Sequence, residues 1–261
     1  MIKRIAFIAL ATTASSAALS EDSYLLEGFV GTMQAETSFA GESSSADANY
    51  FGLTVHSGSV STFDIPLREA SFINRASFFS VSQLQASSDD GGDDVEQTEV
   101  TGRFVLASGM YFDAGYLTPS EGEDEYRIGL GQYLGISSSA TFAYETMEES
   151  DFDHYLAELH YAAPYGANTG WLTYDFGVGY IQSGDLDGYS AMGGIDYFYN
   201  SRFSLGAQYN HLKVDTTTRN AYELRAEYFF GQKLSLAANY ENVEVLEITG
   251  ETAGVTLNFR Y

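Results

Sequence analysis

Residues 253–261 read Ala253-Gly254-Val255-Thr256-Leu257-Asn258-Phe259-Arg260-Tyr261, and the chain stops there. Val255, Leu257, Phe259 and Tyr261 share one face of an extended strand; Gly254, Thr256, Asn258 and Arg260 share the other. In a soluble sandwich the apolar face would meet a core. In a membrane barrel it would meet lipid, with the polar face towards a lumen. Period two alone does not separate these, so the rest of the chain has to.

The same alternation recurs upstream. Phe51, Leu53 and Val55 alternate with Gly52, Thr54 and His56. Leu172, Tyr174, Phe176, Val178 and Tyr180 alternate with Thr173, Asp175, Gly177 and Gly179. Tyr222, Leu224, Ala226 and Tyr228 alternate with Glu223, Arg225 and Glu227. Two features favour a barrel over a sandwich. Charge and glycine sit in mid-strand on the polar face, as at Arg103, Asp113, Asp175 and Glu223, which a watery interior tolerates. Aromatics gather at strand ends, at Tyr116, Tyr180, Tyr189, Tyr228 and Tyr240, where interfacial girdles need them. The stretch from Asp153 to Ala163 fits a helix or a strand; strands on both sides, and Pro164 as its stop, favour a strand.

The expected fold is all-β: a transmembrane, antiparallel, up-and-down barrel of about fourteen strands. Twelve is the alternative, should the pair near Phe72 to Leu84 or the Asp153 segment lie outside the wall. Roughly 17 residues per strand and link leave ~10 for the strand. Short links (Ser108-Gly109, Gly135-Ile136, Asn200-Ser201, Gly231-Gln232) take turns with longer polar ones. The longer ones are Gln34 to Ala46, Ala86 to Asp94, Thr118 to Asp124, Thr146 to Asp151, Lys213 to Arg219 and Asn242 to Thr249. With the C-terminus in the periplasm, the long links fall outside the cell. Ser57 to Arg68 and Pro164 to Thr169 break that pattern, being long on the periplasmic side. No link is long enough to fold far into the pore, so wall side chains are expected to form the constriction.

The first residues read as an export signal. Lys3 and Arg4 precede an apolar run from Ile5 to Leu10, and Ala18 and Ser20 give the small-x-small pattern of cleavage after Ser20. The apolar run is well short of the ~20 residues of a spanning helix. The domains are therefore a signal peptide over 1–20 and one barrel over 21–261. Without Lys3 and Arg4, 10 basic residues face 36 acidic, a net charge of −26. Such a chain repels phosphate, so nucleic acid is not an expected partner. It has no cysteine, which excludes disulfides, thiol catalysis and thiolate metal sites. Twenty Tyr and 18 Phe argue against disorder.

No catalytic, cofactor or metal site is expected. Asp89, Asp90, Asp93 and Asp94 surround two glycines but lack the spacing and closing Glu of an EF-hand loop; a solvated hairpin fits better. His154, Glu158 and His160 share a strand face, yet no serine is paired with them in a recognisable motif and there is no GxSxG. The pairs Gly129/Gly131 and Gly177/Gly179 lie within strands, and read as thin places in a barrel wall. By register, Arg103, Asp113, Arg127, Glu145, Glu158, Asp175, Asp196, Arg202, Glu223, Arg225, Glu227, Lys233 and Arg260 face inward as pore-lining residues. That inner balance is nearly even, so cation preference is expected to come mostly from the acidic mouth.

Two stretches carry a family resemblance. The terminal strand, with Val255, Leu257, Phe259 and a last Tyr261, resembles the C-terminal signal of bacterial outer-membrane barrels that their assembly machinery reads. The run from Pro66 to Ser77 (PLREASFINRAS) resembles a segment of porins from Gram-negative gammaproteobacteria. The resemblance implies a passive outer-membrane channel for ions and small hydrophilic solutes. Its partners would be outer-membrane lipid and the assembly machinery. It supplies no substrate, catalytic residue or cofactor, and no oligomeric state. Two alternatives stand beside it: a structural or adhesive barrel with a blocked lumen, and a barrel hydrolase. The residues of PLREA themselves read as a turn into a strand, with Arg68 and Glu69 at the membrane interface.

Overall fold

The computed structural model describes residues 22–40, 42–88, 94–148, 151–165 and 170–261. The signal segment 1–20 and the Ser20/Glu21 junction lie outside them, as do Asp89, Asp90 and Asp93. Fourteen strands form: β1 (Ser23–Phe39), β2 (Glu42–Ser61), β3 (Phe78–Ser88), β4 (Val95–Val105), β5 (Met110–Pro119), β6 (Glu125–Tyr133) and β7 (Ser138–Met147), then β8 (Phe152–Tyr165), β9 (Gly170–Ser183), β10 (Leu186–Asn200), β11 (Phe203–Val214), β12 (Thr217–Phe229), β13 (Leu234–Val245) and β14 (Ile248–Arg260). Each pairs antiparallel with its sequence neighbours, and β14 closes the ring on β1. The expected up-and-down barrel of fourteen strands is therefore what the chain builds. Both disputed segments belong to the wall as β3 and β8. Pro164 does not end β8, which runs on to Tyr165; it pairs with Trp171 near the strand's end, where a missing N–H matters little.

The ring closes through a β14–β1 ladder that runs from Glu27↔Arg260 to Phe39↔Ile248, and the last residue adds bonds at its lower end. The Leu25 and Leu26 N–H groups both donate to the Tyr261 carbonyl at 2.8 Å, and the Tyr261 N–H donates to Leu26. Phe259 fills the space over Gly28 on β1. Val255 (46 % exposed), Leu257 (40 %), Phe259 (38 %) and Tyr261 (49 %) point outward. They join a belt that includes Val30, Phe51, Phe104, Ile128, Phe142 and Leu224. Large apolar side chains exposed all round a closed ring make a lipid-facing surface, because no water-soluble monomer leaves so much unburied.

We call the end carrying Asp22 and Tyr261 the lower end. The upper links are shorter than the sequence suggests. Lys213 to Arg219 and Asn242 to Thr249 shrink to two-residue hairpins at 215–216 and 246–247, and β1 and β2 run to Phe39 and from Glu42. Asp215 (φ 52°) and Leu246 (φ 55°) adopt the left-handed backbone that tight hairpins require. The residues read as loop are polar but still alternate, and a ladder's backbone hydrogen bonds do not depend on apolar side chains. A crossing needs ~9–11 residues, so β2, at 20, overshoots the apolar belt.

Candidate functional site: the lumen and the segment that crosses it

The link between β2 and β3, residues 62–77, is not a turn at the interface. β9 lies seven strands from β2 in either direction round the ring, so the strands beside it are the far wall. The link reaches that wall. The Leu67 N–H donates to the Ser201 carbonyl in the β10–β11 turn at 3.0 Å. Arg68 Nη1 donates to Asp196 on β10 at 2.8 Å, and Glu69 meets His160 on β8 at 3.1 Å. Ala70–Ile73 form a single helical turn, α1. Phe72 packs edge-on to His160 with ring centroids 4.2 Å apart, and Arg75 lies over the Tyr133 ring of β6. Its guanidinium also donates to the Gly135 carbonyl.

The two sides of this segment are held differently. At its root, Ala70 packs with Tyr24 and Val60, with Ile65 and Ala76 alongside. At its tip, ion pairs and hydrogen bonds of Arg68, Glu69 and Arg75 act beside the ring contacts of Phe72 with His160 and Tyr133. The expectation that no link enters the pore, and that PLREA is a turn into a strand, is thus corrected. Pro66, Leu67 and Ala70 sit under 3 % exposed, so they fill the lower lumen instead of capping a hairpin outside it. Burial records the result: of the nine buried polar or charged side chains among the described residues, only His154 lies in the upper half.

The inner face carries its charges in two clusters. In the lower one, Asp196 (2 % exposed) accepts from Arg68 and from Arg225 at 2.8 and 2.5 Å, and Thr173 adds a 3.2 Å bond. His160 joins Asp175 at 2.6 Å to Glu69 of the crossing segment. In the upper cluster, Arg127 donates to Glu145 and, at 2.6 Å, to Glu158. His154 Nδ1 meets Glu145 at 2.9 Å and its Nε2 meets Ser190 Oγ at 2.8 Å. Elsewhere Arg103 grips Asp113 through two bonds of 2.7 and 2.9 Å, and Arg260 donates to Glu27 at 2.6 Å. Glu227 accepts from Ser235 at 2.6 Å, while Glu223 keeps only a 3.8 Å approach to Arg225.

Most of the residues read as inward are therefore on the inner face and bonded to one another. Arg202 and Lys233 are not: both sit in lower turns, between β10 and β11 and between β12 and β13, because the strands stop before them. Lys233 lies over the Tyr261 ring. What period-two reading could not find is contact between strands that are not neighbours. Among the described residues, four inner side chains cross a glycine to hydrogen-bond a side chain on the strand beyond it. Tyr50 crosses Gly31 to Thr256, Tyr111 crosses Gly131 to Thr141, His154 crosses Gly179 to Ser190, and Asp196 crosses Gly206 to Arg225. A Cβ on any of these glycines would overlap the crossing side chain. The thin places in the wall are passages.

No protein-family model matches the chain, and no curated protein sequence does. Solved structures do match. The fold is similar to that of the Acinetobacter baumannii outer membrane protein Omp33, with a TM-score of 0.71 at 17 % identity, covering 93 % of this chain and 100 % of that one. It is also similar, at a TM-score of 0.50 and 9 % identity, to Pseudomonas aeruginosa OccK7 (OpdD), covering 92 % and 99 % of the two chains. At these identities the likeness is one of fold, and it agrees with the resemblance to Gram-negative outer-membrane barrels drawn from the terminal strand and the PLREA stretch.

Proposed function

We propose that this protein is an outer-membrane channel for ions and small hydrophilic solutes, with its lower end in the periplasm and its passage controlled by residues 62–77. The observation that carries this reading is the contrast within that segment: an apolar root on β1 and β2, and a tip clamped to the opposite wall chiefly by ion pairs and hydrogen bonds, with Phe72 against His160 beside them. Such a segment can swing on its root when the tip lets go. The lipid-facing belt and the charged inner wall support the rest. Export follows from a signal peptide cleaved after Ser20, and assembly from recognition of Val255, Leu257, Phe259 and Tyr261 by the outer-membrane machinery. Removing Phe259 and Tyr261 takes away the lowest bonds of the β14–β1 seam and two of the outward side chains of that signal, so folded, heat-modifiable protein should be lost from the outer membrane.

The channel prefers cations weakly. Its −26 charge concentrates them at the mouth, while basic groups on the wall are neutralised by paired carboxylates. The preference should fade with salt as the Debye length falls from ~10 Å at 0.1 M to ~3 Å at 1 M. Neutralising Asp89, Asp90, Asp93 and Asp94 should lower it at low salt, read as the reversal potential across a salt gradient. The direct test is planar-bilayer recording of the wild type beside a variant with residues 64–75 replaced by a short Asn-Gly turn. The wild type should open intermittently and the variant should conduct steadily. The rival reading, a barrel whose lumen stays shut, draws on the same crossing segment; a wild type that never opens beside a steadily conducting variant would favour it.

A further inference from the structure

Of the four glycine crossings, one joins groups able to do chemistry. His154 on β8 stands in register with Glu145 on β7, and Nδ1 meets that carboxylate at 2.9 Å. Nε2 passes over Gly179 and meets Ser190 Oγ on β10 at 2.8 Å. Nucleophile, base and orienting carboxylate are thus connected in order within hydrogen-bond reach, the geometry that defines an activated serine whatever the fold. Arg127 holds Glu145 from its other side. The three residues come from strands β7, β8 and β10 near the upper end, about 20 Å along β10 from Asp196 at ~3.3 Å per residue. The crossing segment lies below them as a floor.

We infer that Ser190 is an activated nucleophile, in a lumenal site that cleaves small carboxylic esters entering from the upper end. Ser190 Oγ bonds to the ester carbonyl carbon as its proton passes to His154 Nε2. The bond to the alcohol oxygen then breaks, and His154 returns that proton to the departing alcohol. Water attacks the acyl-serine, gives a proton to His154, and releases the acid as Ser190 regains its hydrogen. Backbone N–H groups on these strands are committed to the ladder, so the oxyanion has only lumenal water to meet it. Turnover is therefore slow, and the covalent step is the sensitive readout. Glu145 is a positioning residue, acting through His154. The inference does not depend on whether the lumen conducts.

The test is labelling of the refolded full-length barrel with a fluorophosphonate probe, followed by peptide mapping, in protein shown to migrate as a folded, heat-modifiable band. One label is expected, on Ser190. It should vanish in Ser190→Ala and slow by about 10²-fold or more in His154→Gln, the usual worth of a general base. Thr141→Ala removes the hydroxyl of another crossing and should label at the wild-type rate. Should His154→Gln fail to fold, Gly179→Ala decides: its Cβ parts His154 from Ser190 while leaving both side chains in place, and the label should vanish. An unlabelled Ser190 in folded wild type, or equal labelling in His154→Gln, overturns the proposal. An unlabelled Ser190 in a barrel that still conducts would remove the esterase and leave the channel standing.

Discussion

The upper and lower charge clusters are built by the same device and end in different states. Each sends a side chain across a glycine, His154 over Gly179 and Asp196 over Gly206, to a partner two strands away. Above, the carboxylates stay partly in water: the side chains of Glu145 and Glu158 are 32 % and 22 % exposed. Below, the crossing segment covers Asp196, which falls to 2 %, while Asp175 beside it keeps 24 %. The wall has not changed between the two levels. One link of sixteen residues, arriving from the opposite side, turns a wet ladder of ion pairs into a buried clamp. A charge pair contributes according to what covers it, since exposed pairs are worth ~0–1 kcal/mol and breaking a buried one costs several times more.

The largest expected effect in this comparison follows from uncovering the lower cluster. Replacing residues 64–75 by a short turn should raise conductance to that of an unobstructed lumen and restore water to Asp196. Next comes the clamp itself. Asp196→Asn leaves Arg68 and Arg225 facing a neutral amide at a buried site, a loss on the order of 3 kcal/mol. The midpoint of heat-modifiability should drop and the open fraction in bilayers should rise; an unchanged midpoint would show that the clamp holds nothing. Gly206→Ala should do the same more mildly, by pushing Asp196 off Arg225. Gly179→Ala is the matched control above. It should part His154 from Ser190, abolish labelling of that serine, and leave the open fraction as it was.

The smallest effect lies outside the wall. At the upper rim, the Tyr116 O–H on β5 donates to Asp124 in the β5–β6 link at 2.6 Å and holds that carboxyl below the usual carboxylate range. A lowered folded value means the bond stabilises fully above the ordinary carboxyl range and is lost as pH falls through the lowered value. Tyr116→Phe should bring the Asp124 titration back up, followed by the carboxyl carbon shift in NMR, with no change in conductance.

How much of this was legible in the chain follows the distance over which each contact acts. Period two reported the wall from end to end, because which face a residue takes is settled by its own backbone: Arg103 opposite Asp113 and Arg127 opposite Glu145 could both be placed inward from alternation alone. Strand ends were misjudged at Lys213 to Arg219, where polar residues form ladder instead of loop. The crossing segment was invisible for a different reason. Arg68 is 128 residues from Asp196 and Glu69 is 91 from His160, so nothing local marks them as partners. Ser190 was missed likewise, being 36 residues from His154. A signal was present in Gly177-Val178-Gly179 and at Gly206, since a bare glycine on an inward face leaves room for a side chain from elsewhere. It did not say whose.

In the proposed channel, residues 62–77 close the lower lumen and move to open it. The chain has no cysteine, so a single engineered disulfide can test this cleanly. The backbone bond between Leu67 and Ser201 brings the tip within reach of the far wall. In Leu67→Cys/Ser201→Cys, single-channel recording under oxidising conditions should show a closed barrel, and reductant added to the same bilayer should restore wild-type openings. Equal conductance before and after reduction, with the cross-link confirmed by mass, would contradict the account.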